Sequence, residues 1–154
     1  MATIRLPIDF AEFLRSLRSN GVEYLLVGGY AVGLYGYPRA TADIDLWIRR
    51  SPENAERTVR AIRDFGFDVP ALSADLFLRE GQVIRMGLPP LRIEVLTSVS
   101  GLDFETGWAE RREMLLGGEP VWLPSLEHLK RNKAASGRPK DLEDLRHLPD
   151  EERS

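Results

Sequence analysis

Apolar positions in this chain recur with two different periods, and the points where the period changes divide it into elements. Phe10, Phe13, Leu14 and Leu17 share one side of a helical wheel. They predict a helix opening at Asp9, where Asp9-Phe10-Ala11-Glu12 has capping-box spacing, and closing at Asn20-Gly21. Tyr24 to Val27 is a short continuous apolar run and predicts a strand. Gly28-Gly29 opens a second helical stretch in which Ala31, Val32, Leu34 and Tyr35 can pack, and Gly36-Tyr37-Pro38 breaks it. Asp43 to Ile48 predicts a second buried strand. Ser51-Pro52-Glu53 supplies a cap, a proline at the first helical position and a first-turn acid. The helix it starts carries Ala55, Val59, Ile62 and Phe65 inward and stops at Gly66.

The middle of the chain predicts a short helix over Ala74 to Leu78 and strands over Val83 to Met86 and Leu91 to Leu96, separated by Gly87 to Pro90. Phe104 to Arg112 suits a short helix, and "EMLLGGEPVWL" a hairpin about Gly117-Gly118. Ser125 caps a helix running to about Ala135, "SGRPK" interrupts it, and a last helix runs from Pro139 to about Leu148. The order predicts an α/β (α+β) domain over residues 1–150, a mixed sheet with flanking helices and a C-terminal helical pair, followed by a frayed polar tail at 151–154.

The chain has 154 residues, and a net charge of -3 gives no global reason to expect a nucleic-acid partner. With Cys 0, disulfides, zinc-cysteine sites and thiol catalysis are excluded. There is no apolar run long enough for a membrane helix and no signal-peptide pattern in "MATIRLPIDF". The expectation is a cytoplasmic protein with no membrane partner.

Candidate chemistry enters with the acids. Residues two apart on a strand face one side, roughly 6.5 Å apart, so Asp43 and Asp45 project together. Two such carboxylates repel, and a hard divalent cation such as Mg²⁺ relieves the repulsion. "LRIEVLTS" places Glu94 inside a second apolar run, where a carboxylate needs a cation, a basic partner such as Arg92, or water. If the two strands are neighbours, three carboxylates share a face, a site for two metal ions about 3.5–4 Å apart. A solvated strand end and an edge-strand acid explain the same residues taken singly. Tyr30, Tyr35 and Tyr37 suit core packing and turn filling as well as base stacking. Trp47 reads as core, His128 as a helix-surface residue and His147 as terminal.

The joint pattern of Gly28-Gly29, Asp43-Ile44-Asp45 and Glu94 resembles the nucleotidyltransferase superfamily of polymerase-beta-like proteins. The run Arg39-Ala40-Thr41-Ala42-Asp43-Ile44-Asp45 and the C-terminal "SLEHLKRNKAASGRPKDLEDL" are similar to small stand-alone members related to toxins of abortive-infection systems. The resemblance spans about Tyr24 to Leu145, with one departure: the third acid is Glu94, where aspartate is commoner.

The resemblance implies a nucleotidyltransferase fold and an enzyme moving NMP from an NTP to an acceptor hydroxyl with release of pyrophosphate. Two Mg²⁺ ions would be held with the NTP by Asp43, Asp45 and Glu94, with Glu94 helping to deprotonate the acceptor. Gly28 and Gly29 would admit triphosphate to backbone N–H groups at a helix N-terminus, and Arg39 and Thr41 would contact phosphate. Lys133 and Lys140 would neutralise pyrophosphate, with Asp141 orienting one of them; for Lys133 alone, a solvated helix face is the plainer reading. Lys130, Arg131, Lys133, Arg138 and Lys140 form a basic block without an acid among them. The acceptor would be the 3′ end of tRNA, a protein hydroxyl, or a small molecule such as an antibiotic. A toxin–antitoxin role would add a cognate antitoxin or regulatory partner. Two further readings are a catalytically inactive scaffold of the same fold and a plain RNA-binding module.

Overall fold

A computed structural model describes residues 4–87 and 90–152. Helix α1 (Ile8–Ser19) buries Phe10, Phe13, Leu14 and Leu17, the stripe the periodicity marks. Its N-cap is Pro7, and no side chain caps it. Asp9 is therefore a first-turn acid and not the start of a capping box; proline's fixed φ and missing N–H open the helix instead.

Strand β1 (Tyr24–Val27) leads directly into α2 (Gly28–Leu34), and β2 (Asp43–Ile48) follows a short loop. Helix α3 (Pro52–Phe65) starts at Ser51, whose side chain accepts from Asn54 N–H, and stops at Gly66 with φ 116, a left-handed value that glycine adopts without strain. The buried Asn54 side chain donates to the carbonyls of Glu23 (3.0 Å) and Arg49 (2.9 Å). It thereby ties the helix start to the outer ends of β1 and β2.

A 3-10 turn (Ala74–Leu78) precedes β3 (Val83–Met86) and β4 (Arg92–Leu96). Part of the expected connection from Gly87 to Pro90, positions 88 and 89, lies outside the described residues. After α4 (Phe104–Ala109) come the hairpin β5 (Arg112–Leu116) and β6 (Glu119–Leu123), then α5 (Leu126–Ser136) and α6 (Pro139–His147). In the polar tail, Glu152 accepts from Arg112 at 2.9 and 3.0 Å, and residues 153 and 154 lie outside the described residues.

The four-stranded sheet has the order β1-β2-β4-β3. β2 runs parallel to β4 and antiparallel to β1, while β3 is antiparallel to β4. Its two faces have different tasks. Ile44, Leu46, Ile48, Ile93 and Val95 point into the main core with α1, α2 and α3. The opposite face carries Leu25, Val27 and Trp47 against Phe104, Trp108 and Trp122 at one end. At the other end it carries Asp43, Asp45 and Glu94. The fold is α+β with a mixed sheet. Among the described residues no helix is long and apolar enough to cross a membrane.

Candidate active site

The sheet register builds the site. Val27 pairs with Asp45, Asp45 with Glu94, and Glu94 with Arg85, so one transverse row crosses all four strands on the polar face. One step along the strands, Asp43 pairs with Arg92. Val27, Asp43, Asp45, Arg85 and Glu94 lie on the floor of a cleft of about 440 Å³, whose wall is Asn132, Lys133, Ser136, Arg138, Lys140 and Asp141 from the C-terminal helical pair.

Asp45 is the most perturbed acid on this floor. Burial, the neighbouring Glu94 and then Asp43 push its carboxyl up to about 7, against a smaller downward pull from Lys140. Glu94 moves the other way. Burial would raise it, but hydrogen bonds from Asp45 and Arg85 hold it below the ordinary glutamate value. The proton of the pair therefore resides on Asp45 and Glu94 is the ionised member. Arg85 Nε donates to Glu94 Oε1 at 3.0 Å, so Glu94's basic partner is Arg85 and not Arg92.

Gly28 has a local reason to be glycine besides admitting a ligand. Its φ is 73°, and a Cβ there would stand 2.1 Å from Asp45 Oδ2. A Cβ on Gly29 would meet Thr41 Cβ at 3.0 Å and Arg39 Nη1 at 3.2 Å. The glycine pair thus seats Asp45 and the 39–41 loop. Thr41 Oγ1 donates to the Asp43 carbonyl at 3.0 Å and fixes the start of β2.

The remaining predicted phosphate ligands are divided by the structure. Gly28, Lys133 and Lys140 line the acidic cleft, whereas Gly29, Arg39 and Thr41 line a neighbouring, more apolar pocket with Ile4, Leu6 and Tyr30. Lys133 is not on a solvated face: it is 3 % exposed, with Nζ 3.2 Å from Asp141 Oδ1 and 3.0 Å from Asp144 Oδ2. Arg39 meets the same Asp144 through two hydrogen bonds of 2.8 and 3.0 Å, and Arg138 holds Asp141 at 2.8 Å. Burial would raise both aspartates, but these cations hold Asp141 well below the usual carboxylate range and lower Asp144 as well. Lys140 is exposed and, among the described residues, forms no ion pair.

Tyr30 and Tyr35 are core residues, and Tyr37 stacks on His147 with ring centres 4.1 Å apart. His128 is buried, not on the surface; its Nε2 faces Glu110 at 3.2 Å. Sequence reasoning passed over Arg85 and Asp144. Arg85 is legible only once β3 and β4 are folded as a hairpin that pairs it with Glu94. Asp144 repeats the acid at Asp141 one helical turn on, a spacing that puts both on one face.

Among the described residues no three carboxylate or histidine side chains converge as a ready metal cluster, and one oxygen of Glu94 is engaged by Arg85. The floor still suits a hard cation. Asp43 and Asp45 present oxygen ligands on one strand face, and Asp45 is held protonated first by burial and then by the neighbouring carboxylates, whose repulsion a cation would offset.

No protein-family model and no curated protein matches the chain. Solved structures do resemble it. One is a Thermotoga maritima protein provisionally assigned as a nucleotidyltransferase, at 17 % identity and TM-score 0.58, covering 88 % of this chain and 86 % of that one. Another is an antigenic nucleotidyltransferase-like protein from Paracoccidioides brasiliensis, at 22 % identity and TM-score 0.54, covering 89 % and 70 %. With its acids and glycines set on this sheet, the chain has the nucleotidyltransferase fold.

Proposed function

We propose that the protein is a Mg²⁺-dependent nucleotidyltransferase that moves NMP from an NTP to an acceptor hydroxyl. The observation that carries this reading is the opposition, across one cleft, of the Asp43–Asp45 strand face and the basic wall of Arg138 and Lys140. A carboxylate floor suits a phosphate-bound cation, and the cations opposite, Lys140 together with Arg138 beside Asp141, suit a polyphosphate tail.

In this reading the acceptor oxygen attacks the α-phosphorus and forms the new P–O bond. The bond from the α-phosphorus to the bridging oxygen breaks, and pyrophosphate leaves with the electron pair. The hydroxyl proton passes to Glu94, the ionised member of its pair. Asp43 and Asp45 would hold the cation, which supplies charge neutralisation at the phosphoryl group and acidifies the acceptor hydroxyl. Lys140 and Arg138 meet the leaving pyrophosphate. Lys133 and Arg39 act through Asp141 and Asp144, setting the position of α6 and with it the basic wall. Positioning and electrostatics supply most of the rate in such chemistry.

The acceptor class we assign is a macromolecular hydroxyl, the 3′ end of tRNA or a protein side chain, as for the toxin-like proteins that the motifs resemble. The test incubates the protein with Mg²⁺ and each α-labelled NTP, with and without total tRNA, beside Asp43→Asn and Asp45→Asn. Label on RNA or protein that disappears in both variants supports the reading and names the acceptor. Absence of transfer and of Mg²⁺-dependent NTP binding would overturn it in favour of an inactive scaffold.

A further inference from the structure

Arg85 belongs to no motif and is 60 % exposed by side chain, yet it is placed more definitely than an edge-strand arginine needs to be. It stands directly opposite Glu94 in the β3–β4 ladder, and Glu94 stands directly opposite Asp45 in the β4–β2 ladder. Its Nε donates to Glu94 Oε1 at 3.0 Å, while the Glu94 side chain is only 16 % exposed. Arg92 offers an instructive contrast. It also lies on this face and pairs in register with Asp43, but among the described residues it has no ion pair with Glu94.

A carboxylate engaged by a guanidinium loses part of its charge and one of its oxygens as a metal ligand. Arg85 does both to Glu94. Both effects weaken cation binding in the absence of nucleotide.

We propose that Arg85 is a positioning residue that occupies Glu94 Oε1 and offsets its charge, leaving Asp43 and Asp45 as the resident ligands and making occupancy of the centre depend on nucleotide phosphate. This rests on the reading of Asp43 and Asp45 as cation ligands. The free site is weak because its third carboxylate is engaged. An incoming polyphosphate competes for Arg85, frees Glu94 and brings its own cation. Cation and nucleotide then bind together.

Mn²⁺ binding to the nucleotide-free protein, followed by electron paramagnetic resonance, tests this without reference to turnover. Arg85→Met should bind Mn²⁺ on the order of tenfold tighter than wild type, the scale for restoring one carboxylate charge a few ångströms from a divalent cation in an open cleft. Arg85→Lys should retain much of the wild-type weakness, and Arg92→Met should stay within about threefold of wild type, since Arg92 acts on Glu94 only through a longer-range charge and, among the described residues, occupies neither of its oxygens. Adding Glu94→Gln to Arg85→Met should abolish the gain, whereas Glu94→Gln alone should change little, the signature of a coupled pair. A gain in Arg92→Met equal to that in Arg85→Met, or one that survives Glu94→Gln, overturns the proposal and leaves only general charge. If wild type binds Mn²⁺, Asp45→Asn abolishes it and Arg85→Met binds no tighter, the Arg85 proposal fails alone. If no protein in the series binds Mn²⁺, the cation reading of Asp43 and Asp45 fails with it.

Discussion

Asp45 and Glu94 face each other across the parallel β2–β4 ladder, and one proton is held between them on the Asp45 side. The Asp45 carboxyl, at about 7 in the folded protein against 3.8 ordinarily, keeps a proton that the unfolded chain has already released. Where the native state binds more protons, stability falls as pH rises. Its share of stability is therefore present below about pH 4 and lost between about pH 4 and 7. Asp45→Asn still donates to Glu94 but carries no charge. In chemical denaturation at pH 8 it should be more stable than wild type, on the order of 2 kcal/mol, since the open cleft screens part of the repulsion. The gain should shrink at pH 4. A pH-independent difference would place the effect in packing and not in charge.

Gly28 and Gly118 separate conformational cost from collision. Both have positive φ, 73° and 85°, but a Cβ meets Asp45 Oδ2 at 2.1 Å in the first and nothing within 4 Å in the second. Gly118→Ala should cost about 1 kcal/mol in urea denaturation, the left-handed backbone alone. Gly28→Ala should cost more, about 2–4 kcal/mol, and should abolish label transfer because Asp45 is pushed from its place. Equal costs in the two variants would mean that Asp45 yields freely, and that its position is not set by the glycine.

Much of this architecture is legible in the sequence, and most of the part that is not depends on contacts that only the fold creates. Tyr24–Val27 and Asp43–Ile48 are strands over the same residues that the apolar runs mark, and Ser51-Pro52 starts α3 as its capping chemistry implies. Such signals are local. Asp9 misleads because Pro7 opens α1 two residues earlier than a capping box at Asp9 would. Lys133 misleads for a different reason. Its surroundings in sequence are basic and polar, and only the corner at Gly137 folds Asp141 and Asp144 back onto it. Arg85 depends on the β3–β4 register, which periodicity of one strand does not contain. The acids themselves could be found by spacing; the cations that hold them could not.

Asp144 is 1 % exposed and accepts from both Arg39 and Lys133. Removing it leaves two cations facing each other without their shared anion. Asp144→Ala should therefore cost about 3–5 kcal/mol, the scale for breaking a buried pair from one side. Glu143→Ala, one residue away but exposed and paired only with Arg146 and His147, should cost less than about 1 kcal/mol. The pH dependence should run opposite to that of Asp45. Because cations depress the carboxyls of Asp141 and Asp144, their stabilisation is present above about pH 4 and lost as pH falls through their folded values. Asp144→Ala should accordingly show a shallower acid limb than wild type. A limb of unchanged slope would show that the pair contributes nothing to acid unfolding.

Lys133 and Lys140 were alike as candidates in the sequence, and the structure gives them different work. Lys133 lies between two aspartates with 3 % of its surface exposed, so its ammonium is already committed within the protein. Lys140 lines the cleft opposite Asp45 and its charge reaches that carboxyl. Lys133→Ala leaves Asp141 and Asp144 with Arg138 and Arg39 but removes the cation they share and opens a buried cavity between them, and should cost about 3 kcal/mol in urea denaturation. Lys140→Ala should unfold at the wild-type urea concentration, because an exposed lysine without an ion pair contributes little to stability. Its effect should fall on nucleotide instead: a KM for NTP raised roughly tenfold, the scale for losing one charged hydrogen bond to phosphate. The raised KM should fall back toward wild type when Lys140→Arg restores the charge. A Lys140→Ala protein that binds NTP as wild type does would move the pyrophosphate contact to Arg138. A Lys133→Ala protein of full stability would mean that the Arg39–Asp144 and Arg138–Asp141 pairs suffice to hold the C-terminal helices on the sheet.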